Sequence, residues 1–397
     1  MNTFKIVLYL YLFILSTNFI YSQSDEDLIT ESDFKLNLTG YIFNLSSYSF
    51  SRSNKLIGII DIEPAESVSD LMRLRLRPSV LFGENTRIEA QYEVNGLLSD
   101  RNLYKLNEIS ENKRQAVKLA WNLHTDEHLV LNHYIDRLFI KQVFDFGEIT
   151  AGRQRISWGV GRVWQPTDLF NPINPVNFSK IEKDGADAVS TKIYIGNFTD
   201  LELVYNHTMS KYKDNFGGRF RTNYKEYDLS AVAGYFDGRI VVGGDFAGNL
   251  YDAGFRGEFI YSLKGGNFEK EFLKFVLGLD YQFDKNIYAL IEYQHNGEGT
   301  ICRYCYDYTR LVSGEILNVG MNYIAVNANY RLNDLTNAGI SNNINLNDGS
   351  GFATVSGIYQ LTQSWQLNLT AMLTYGDIGT EYRIYPYSLY LLTEYFF

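Results

Sequence analysis

The chain lacks the apolar runs from which membrane-spanning helices are made. After residue 22, no segment approaches 18 consecutive apolar residues, whereas a transmembrane helix needs about 20. Basic residues are also in deficit, with 36 Lys and Arg against 46 Asp and Glu and a net charge of -10. No basic domain stands out to neutralise phosphates, which argues against nucleic acid as a partner. The G-x-S-x-G, G-x-x-x-x-G-K-[ST] and Ser-His-Asp patterns of common enzymes are missing as well, so we expect no catalytic activity.

Aromatic residues are abundant instead. The chain has 31 Tyr and 26 Phe, and aromatic residues make up 15% of it, yet its mean hydropathy is only -0.20. A transmembrane β-barrel reconciles these values, because lipid-facing side chains alternate with polar lumen-facing ones along each strand. About 16 strands of roughly 10 membrane-embedded residues use some 160 positions. The length leaves no room for a plug domain inside a 22-stranded transporter.

The first residues predict export. Lys5 supplies a positive charge, Ile6 to Leu15 is an apolar run, and Ser22 precedes an acidic segment. This pattern is typical of a cleavable signal peptide, which we place at residues 1–22. We expect a short periplasmic segment at residues 23–33 and a single barrel domain at residues 34–397.

The other end of the chain reads as a lipid-facing strand. Between Tyr387 and Phe397, alternate residues form a nearly unbroken apolar face. The aromatic ending, with Tyr395 and Phe397, resembles the signal by which bacterial outer-membrane β-barrels are recognised for insertion. The resemblance implies a location in the cell outer membrane, with lipid and the barrel assembly machinery as partners. The alternative is a docked edge strand of a soluble sandwich.

The hairpin Leu71 to Asn95 has the clearest strand pattern, because polar side chains alternate with apolar ones along both arms. Its candidate lumen residues are Arg73, Arg75, Arg77, Glu89 and Glu93. An arginine at the midplane of the lipid face costs roughly 2 to 4 kcal/mol, so three of them must face the lumen. The two glutamates then lie opposite them in a cross-strand charge ladder. The ladder either sets a field across a solute path or only balances charge within the wall.

Further segments share this period. Strands are predicted at Leu36 to Phe43, Tyr134 to Phe146, Glu148 to Ser157, Ala188 to Ile195, Leu201 to Asn206, Glu226 to Phe236, Arg239 to Phe246, Asp252 to Ser262, Glu271 to Phe283, Ile287 to His295, Ile316 to Tyr330, Ile340 to Leu346, Phe352 to Gln360 and Trp365 to Tyr375. Short joints such as Asp145 to Gly147, Asp237-Gly238 and Asp284 to Asn286 predict periplasmic turns. Residues 50–68, 97–129, 158–184 and 297–314 predict long outer loops.

Together these segments predict an all-β protein, a transmembrane antiparallel up-and-down β-barrel of about 16 strands. Because single-chain bacterial barrels normally have even strand numbers, 14 and 18 are the alternatives. The pattern does not close cleanly, since one short turn falls on the wrong side of the barrel between residues 247 and 284. A strand is therefore missing or superfluous in this prediction.

The segment Gly152 to Pro172 differs in kind. It begins as a strand, after which glycine, tryptophan and proline interrupt the pattern, and three of the six prolines lie between residues 166 and 175. Such a backbone would be unsatisfied in lipid, so it must lie in the lumen or at the outer rim. Its candidate site residues are Arg153, Arg155, Trp158, Arg162, Trp164 and Asp168.

This segment resembles the G-R-Q-x-x-x-W-G stretch, followed by a D-x-F-N-P turn, of a broad group of porin-like outer-membrane barrels. The matching residues are Gly152-Arg153-Gln154, Trp158-Gly159 and Asp168-Leu169-Phe170-Asn171-Pro172. If the segment folds inward as a constriction, its arginines would attract anions, and its tryptophans would offer stacking faces to sugars or aromatic solutes. The alternative is a structural fold-over with the tryptophans at the bilayer interface.

Cysteine and histidine give weaker signals. Cys302 and Cys305 lie in a predicted outer loop, where export favours a local disulfide over redox or zinc chemistry. His124 and His128 have the spacing of a helical metal pair, but no supporting motif accompanies them. We therefore expect no metal and no cofactor.

The sequence thus predicts a porin-like channel for passive diffusion of small polar solutes. The alternative is a non-transport barrel whose loops bind a polysaccharide or protein partner or serve in assembly. A barrel hydrolase is the minor third reading. Porins often form trimers, so a homotrimer stays open, as do the solute and the openness of the lumen.

Overall fold

The computed structural model describes residues 34–56, 60–103, 112–170, 182–265, 270–312 and 316–397. The predicted signal peptide and the segment 23–33 lie outside the described residues. The strands are β1 Phe34–Ser51, β2 Asn54–Leu56, β3 Ile60–Ile62, β4 Ala65–Phe82, β5 Thr86–Ser99, β6 Ala120–Thr125, β7 Leu129–Phe144, β8 Gly147–Gln154, β9 Ala186–Tyr194, β10 Asp200–Asn206, β11 Asn215–Tyr224, β12 Tyr227–Phe236, β13 Arg239–Leu250, β14 Ala253–Ser262, β15 Phe272–Gln282, β16 Ile287–Asn296, β17 Asn322–Arg331, β18 Thr336–Asn345, β19 Gly351–Gln360, β20 Trp365–Tyr375 and β21 Tyr387–Phe396. The described helices are α1 Tyr308–Val312 and the 3-10 helices Arg303–Cys305 and Glu381–Ile384.

Eighteen of these strands close into one antiparallel barrel. Each is paired with its neighbours along the chain, β7 follows β5 directly, and β1 pairs with both β4 and β21. The pairing of the first strand, β1, with the last, β21, is regular and runs from Tyr41 opposite Phe396 to Phe50 opposite Tyr387. β2 and β3 form a separate small hairpin, and β6 pairs with β7. The count of 16 is therefore wrong, and the alternative of 18 is right.

The strand that the sequence pattern missed is β11. It runs from Asn215 to Tyr224 and joins β12 through a two-residue turn, in which Lys225 and Glu226 have positive φ angles of 50° and 68°. Its outward face includes Gly218 and Thr222, which are not apolar side chains, so the alternation of apolar and polar residues on which the prediction depends is weak in this strand. Adding this strand moves the short turn at Asp237-Gly238 to the side of the long loops, which resolves the mismatch in turn sides.

The connections at the two ends of the barrel differ in length. At one end, called the turn end, eight short connections join the strands, including residues 83–85, 145–146, 225–226 and 251–252. At the opposite end, called the loop end, lie the connections at residues 100–128, 155–185, 297–321 and 376–386. This asymmetry is typical of outer-membrane barrels.

Side chains alternate between an apolar outer belt and a polar interior. Exposed outward residues of the belt include Leu138, Ile140, Phe216, Phe220, Ile240, Val242, Phe259, Leu277, Ile291, Val326, Ile340, Val355, Leu369, Leu373, Leu389 and Leu391. The alternate positions face inward and carry most of the buried charged and amide side chains. None of the helices in the part of the chain that the structure describes is long and apolar enough to cross a membrane.

One part of the wall is built from a loop. β8 pairs with β7 only from Phe144 to Leu138, and farther towards the loop end β6 takes the place beside β7. The residues before β6 reach the neighbouring barrel strand β9, because the amide of Asp187 on β9 donates to the carbonyl oxygen of Arg114 at 3.0 Å. The β5–β7 loop thus closes the wall where β8 ends early.

Candidate solute path and inner loop

After β8 the chain leaves the wall and runs inside the barrel. We call residues 155–170 the inner loop. Gly159 has a φ angle of +98°, which disfavours side chains with a Cβ atom. At Gly161, an added Cβ would lie 2.0 Å from the carbonyl oxygen of Trp164. These glycines permit the tight course of the inner loop after β8 has ended.

Two inward-facing glutamates fasten the inner loop to the wall. Glu292 on β16 accepts hydrogen bonds from the backbone amides of Arg162, Val163 and Trp164 at 2.8, 3.0 and 2.8 Å. Glu258 on β14 accepts the amides of Gly161 at 2.7 Å and Thr167 at 3.0 Å, as well as the Thr167 hydroxyl. Both residues are buried. The carboxylates thereby satisfy backbone groups that have no strand partner.

Aromatic packing holds the same loop on its other side. Trp158 is fully buried and lies edge-on to Phe170 and Phe236, with ring centroids 5.1 and 6.4 Å away. Its indole N–H donates to Glu202 at 3.1 Å. Trp164 is buried in a second cluster with Tyr323 and neighbouring side chains. The expectation that both tryptophans offer stacking faces to a solute is therefore wrong, because each indole is packed into the wall.

The arginines of the segment divide into one buried and two exposed residues. Arg153 donates to Asp187 at 2.7 Å and to the carbonyl oxygen of Ile135 at 3.0 Å, so it belongs to the wall. Arg155 and Arg162 are exposed, and neither forms an ion pair within the described residues. Asp168 is buried and pairs with Lys183. Among the described charged residues of this segment, Arg155 and Arg162 are the two that present charge to the interior without an ion-pair partner.

The arginine ladder faces inward but is not open to water. Arg75 pairs with Glu93 and, at 2.5 Å, with Asp136, and these three side chains are only 3%, 1% and 3% exposed. Arg73 lies 3.2 Å from Glu93, and Arg77 pairs with Glu182, which belongs to the connection before β9. The ladder charges are thus neutralised within the wall.

A β-bulge supplies one of these partners. The register of β7 shifts between Gln91 and Tyr92 of β5, so that Asp136 is an extra residue beside Arg137. Both side chains are buried, and Arg137 joins the cluster through Glu182 at 2.9 Å. Bulges redirect side chains in this way. Glu89, the remaining ladder candidate, instead pairs with Arg87 at 2.5 Å.

The loop end carries a compact cap. Cys302 and Cys305 are joined by a disulfide, with Cα atoms 5.2 Å apart. Arg303 between them donates to the carbonyl oxygen of Ile378, which ties the β16–β17 loop to the β20–β21 loop.

Glu381 lies at the centre of this cap. It accepts hydrogen bonds from the Val319 amide, the Tyr323 hydroxyl and the Asn345 side chain at 3.0, 2.6 and 2.8 Å. Burial raises the pKa of Glu381 to about 7. Asp348, which accepts the amide of Glu381 at 2.9 Å, adds a second carboxylate to this site.

The histidines lie apart from these features. His124 lies in β6 and contacts Asp126 at 3.0 Å, whereas the amide of His128 donates to the same aspartate at 2.8 Å. His133 lies on the outward face against Trp121, with ring centroids 5.2 Å apart. Within the described ranges, no group of three His, Cys, Asp or Glu residues could hold a metal ion.

Several solved structures share this architecture. OccK7 (OpdD) of Pseudomonas aeruginosa matches with a TM-score of 0.54 and 9% identity, over 90% of this chain and 98% of that chain. OccAB4 of Acinetobacter baumannii matches with a TM-score of 0.52 and 12% identity, over 90% of this chain and 98% of that chain. A mutant of the Rh. blastica porin matches with a TM-score of 0.49 and 11% identity, over 91% of this chain and 100% of that chain. No family model and no curated protein matches.

The fold is that of a porin-like outer-membrane β-barrel. At these identities the likeness concerns the fold alone. Each of the 18 barrel strands pairs with a neighbour on both sides, so that the closed wall provides partners for backbone hydrogen-bonding groups, and its apolar belt faces lipid. The barrel therefore spans the outer membrane as a multi-pass protein. Glu258, Glu292 and Glu182 were not singled out by the sequence pattern. The alternating pattern of β14 and β16 marks Glu258 and Glu292 as inward-facing, and Glu182 lies in a predicted loop. The neighbouring sequence does not identify the partners of any of the three.

Proposed function

We propose that this barrel is a channel for the passive diffusion of small polar solutes. The observation that supports it most is the inner loop, which five backbone hydrogen bonds to Glu258 and Glu292 hold against the wall of an 18-stranded barrel. Barrels of 16 to 18 strands are wide enough for an aqueous channel. We propose that the loop narrows the barrel without closing it, in which case selectivity follows from the width and charge of the remaining path.

The proposed charge preference comes from two residues. Most inward charges have partners, as in the pairs Arg219–Glu202 at 2.9 Å and Arg221–Asp200 at 2.6 Å. Arg155 and Arg162 remain as exposed cations on the inner loop. We therefore assign a moderate preference for anions to these two arginines rather than to the buried ladder.

Single-channel recording in a planar bilayer tests the proposal. The purified barrel, shown to be folded by its heat-modifiable migration in gels, should give discrete current steps in potassium chloride. A folded protein that produces no current would overturn the channel assignment.

The second candidate is a barrel that binds a partner and transports nothing. The buried ladder favours it, because the space inside that part of the wall is filled by ion-paired side chains. The same recording separates the two candidates, since a scaffold gives no current. In either case we assign no catalytic residue, and the homotrimer and the assembly machinery remain predictions.

A further inference from the structure

The inward face of the barrel has two chemically different parts. From β9 to β16, every strand carries at least one inward Asp, Glu, Lys or Arg, for example Lys192 on β9 and Asp280 on β15. Many of these charges pair across neighbouring strands, as Arg256 does with Asp280. We call this part the charged wall.

The four strands that follow are different. β17 to β20 lie wholly within the described residues, and their inward positions carry one charge, that of Arg331 at the turn end. Arg331 is itself paired with Asp334 at 2.6 Å. The other polar inward side chains on these strands are amides, hydroxyls or the phenol of Tyr323. We call the exposed and half-buried polar part of this face the amide wall, which includes Asn327, Asn329, Asn337, Ser341, Ser356 and Asn368.

The side chains of the amide wall lie next to one another. Asn329 donates to Asn327 at 2.8 Å along β17. A Cβ atom at Gly339 would lie 2.8 Å from the Asn329 oxygen and 2.9 Å from the Ser356 hydroxyl, which places these groups side by side on three adjacent strands. The glycine thereby leaves a shallow recess between an amide and a hydroxyl.

This surface retains unused hydrogen-bonding capacity. A side-chain amide has two donors and an acceptor with two lone pairs, and a hydroxyl both donates and accepts. Asn329 is exposed and Asn327 half-buried, and the one bond between them leaves the remaining donors and lone pairs facing the interior. A charged solute would gain no ion pair here. A solute with many hydroxyl groups can replace its hydrogen bonds to water by hydrogen bonds to these amides and hydroxyls as it moves along the wall.

We propose that the amide wall binds saccharides and guides them through the barrel. This inference rests on the proposed channel function and adds the class of solute. The uncharged wall complements neutral hydroxyl groups, whereas the paired charges opposite it leave few sites for a competing ion. The structure thus assigns solute recognition to β17–β20 and ionic selectivity to the inner loop.

The test compares a saccharide with a polymer of matched size. Maltotriose added to single channels should reduce the current in a saturable way, whereas a polyethylene glycol of equal hydrodynamic radius, which has no hydroxyl array, should not saturate. The double variant Asn327→Leu with Asn329→Leu removes two amides at similar side-chain volume. Its affinity for maltotriose should fall at least about five-fold, since each hydrogen bond contributes about 1 kcal/mol.

The matched control is Asn223→Leu with Asn249→Leu. Both residues are exposed inward-facing asparagines on strands of the charged wall, β11 and β13. This variant should keep the wild-type affinity. The proposal is overturned if maltotriose does not saturate in the wild type, or if both double variants lose affinity equally. Should the first variant fail to fold, Asn368→Leu tests the same wall, and absence of any current would instead overturn the channel function.

Discussion

Glu258 accepts both the amide hydrogen and the hydroxyl hydrogen of Thr167, and in this way a buried carboxylate on β14 takes the place of a strand partner for the inner loop. Glu292 does the same for three consecutive amides two strands away. The position of the inner loop therefore depends on side chains of the wall rather than on its own backbone pairing.

Removing both carboxylates should release the inner loop. In Glu258→Ala with Glu292→Ala, backbone amides lose charged acceptors, each worth about 1.5–3 kcal/mol. We expect single-channel current to fluctuate among several levels, because the loop moves within the path. Glu148→Gln is the control, since Glu148 pairs with Lys141 near the turn end at 2.6 Å. A steady wild-type current in the double variant would contradict this role.

The exposed arginines should set ion selectivity. Replacing Arg155 and Arg162 by glutamine removes the unpaired cations of the inner loop, so the ratio of anion to cation permeability should fall about two-fold or more. Reversal potentials in a salt gradient measure this ratio. Arg101→Gln serves as the control, because Arg101 lies in the β5–β7 connection and contacts the carbonyl oxygen of Glu66. Equal reversal potentials in all three proteins would refute the assignment.

The arginine ladder should affect stability instead. Arg75→Gln removes the buried cation that Glu93 and Asp136 share. It leaves these carboxylates only the longer ion-pair contacts with Arg73 and Arg137, at 3.2 and 3.5 Å. This loss costs about 3–5 kcal/mol, while the reversal potential stays close to that of the wild type. The comparison variant is Arg77→Gln, because the Arg77 side chain is 32% exposed and its loss costs about 1 kcal/mol or less. Urea-induced unfolding in detergent gives the difference. A large shift in reversal potential with Arg75→Gln would show that the ladder lines the path.

The cap at the loop end should depend on pH. Burial raises the pKa of Glu381 from 4.5 to about 7, so the docked cap holds a proton more tightly than an undocked one. Its docking is therefore strongest below about pH 4.5 and loses on the order of 3 kcal/mol as the pH rises through 7. Glu381→Gln imitates the protonated side chain and should remove this dependence.

Hydrogen exchange of residues 376–386 between pH 5 and 8, corrected for the intrinsic exchange rate, measures this docking. Asp377→Asn is the control in the same loop, since the Asp377 side chain is 88% exposed. If wild type and Glu381→Gln show the same protection at every pH, Glu381 does not control the cap.

The barrel and the inward direction of its polar side chains could be predicted from period-two alternation alone. The ladder is an example, because three arginines on one face have only one tolerable orientation in a membrane. Its burial could not be predicted, since Asp136 reaches it through a bulge and Glu182 arrives from a distant connection. β11 escaped detection because Gly218 and Thr222 weaken its outward face.

The site itself was predicted only in outline. Glycines, tryptophans and prolines indicated that residues 152–172 leave the wall. The sequence gives no sign of where such a segment is fastened, because Glu258 and Glu292 look like any inward-facing carboxylates of their strands. The burial of Trp158 and Trp164 was missed for the same reason, since the strands that bury them lie far away in the chain; the sequence left both solute stacking and a place at the bilayer interface open.

The early end of β8 has an evolutionary consequence. Because the chain turns into the interior after β8, the wall lacks part of a strand between β7 and β9. β6 pairs with β7 in that place, and the preceding residues reach β9 through the hydrogen bond between Arg114 and Asp187. A deletion that removed the β5–β7 loop alone would expose a bare sheet edge to lipid. We therefore expect a homologue that lacks the connection at residues 100–128 to lack the one at residues 155–185 as well.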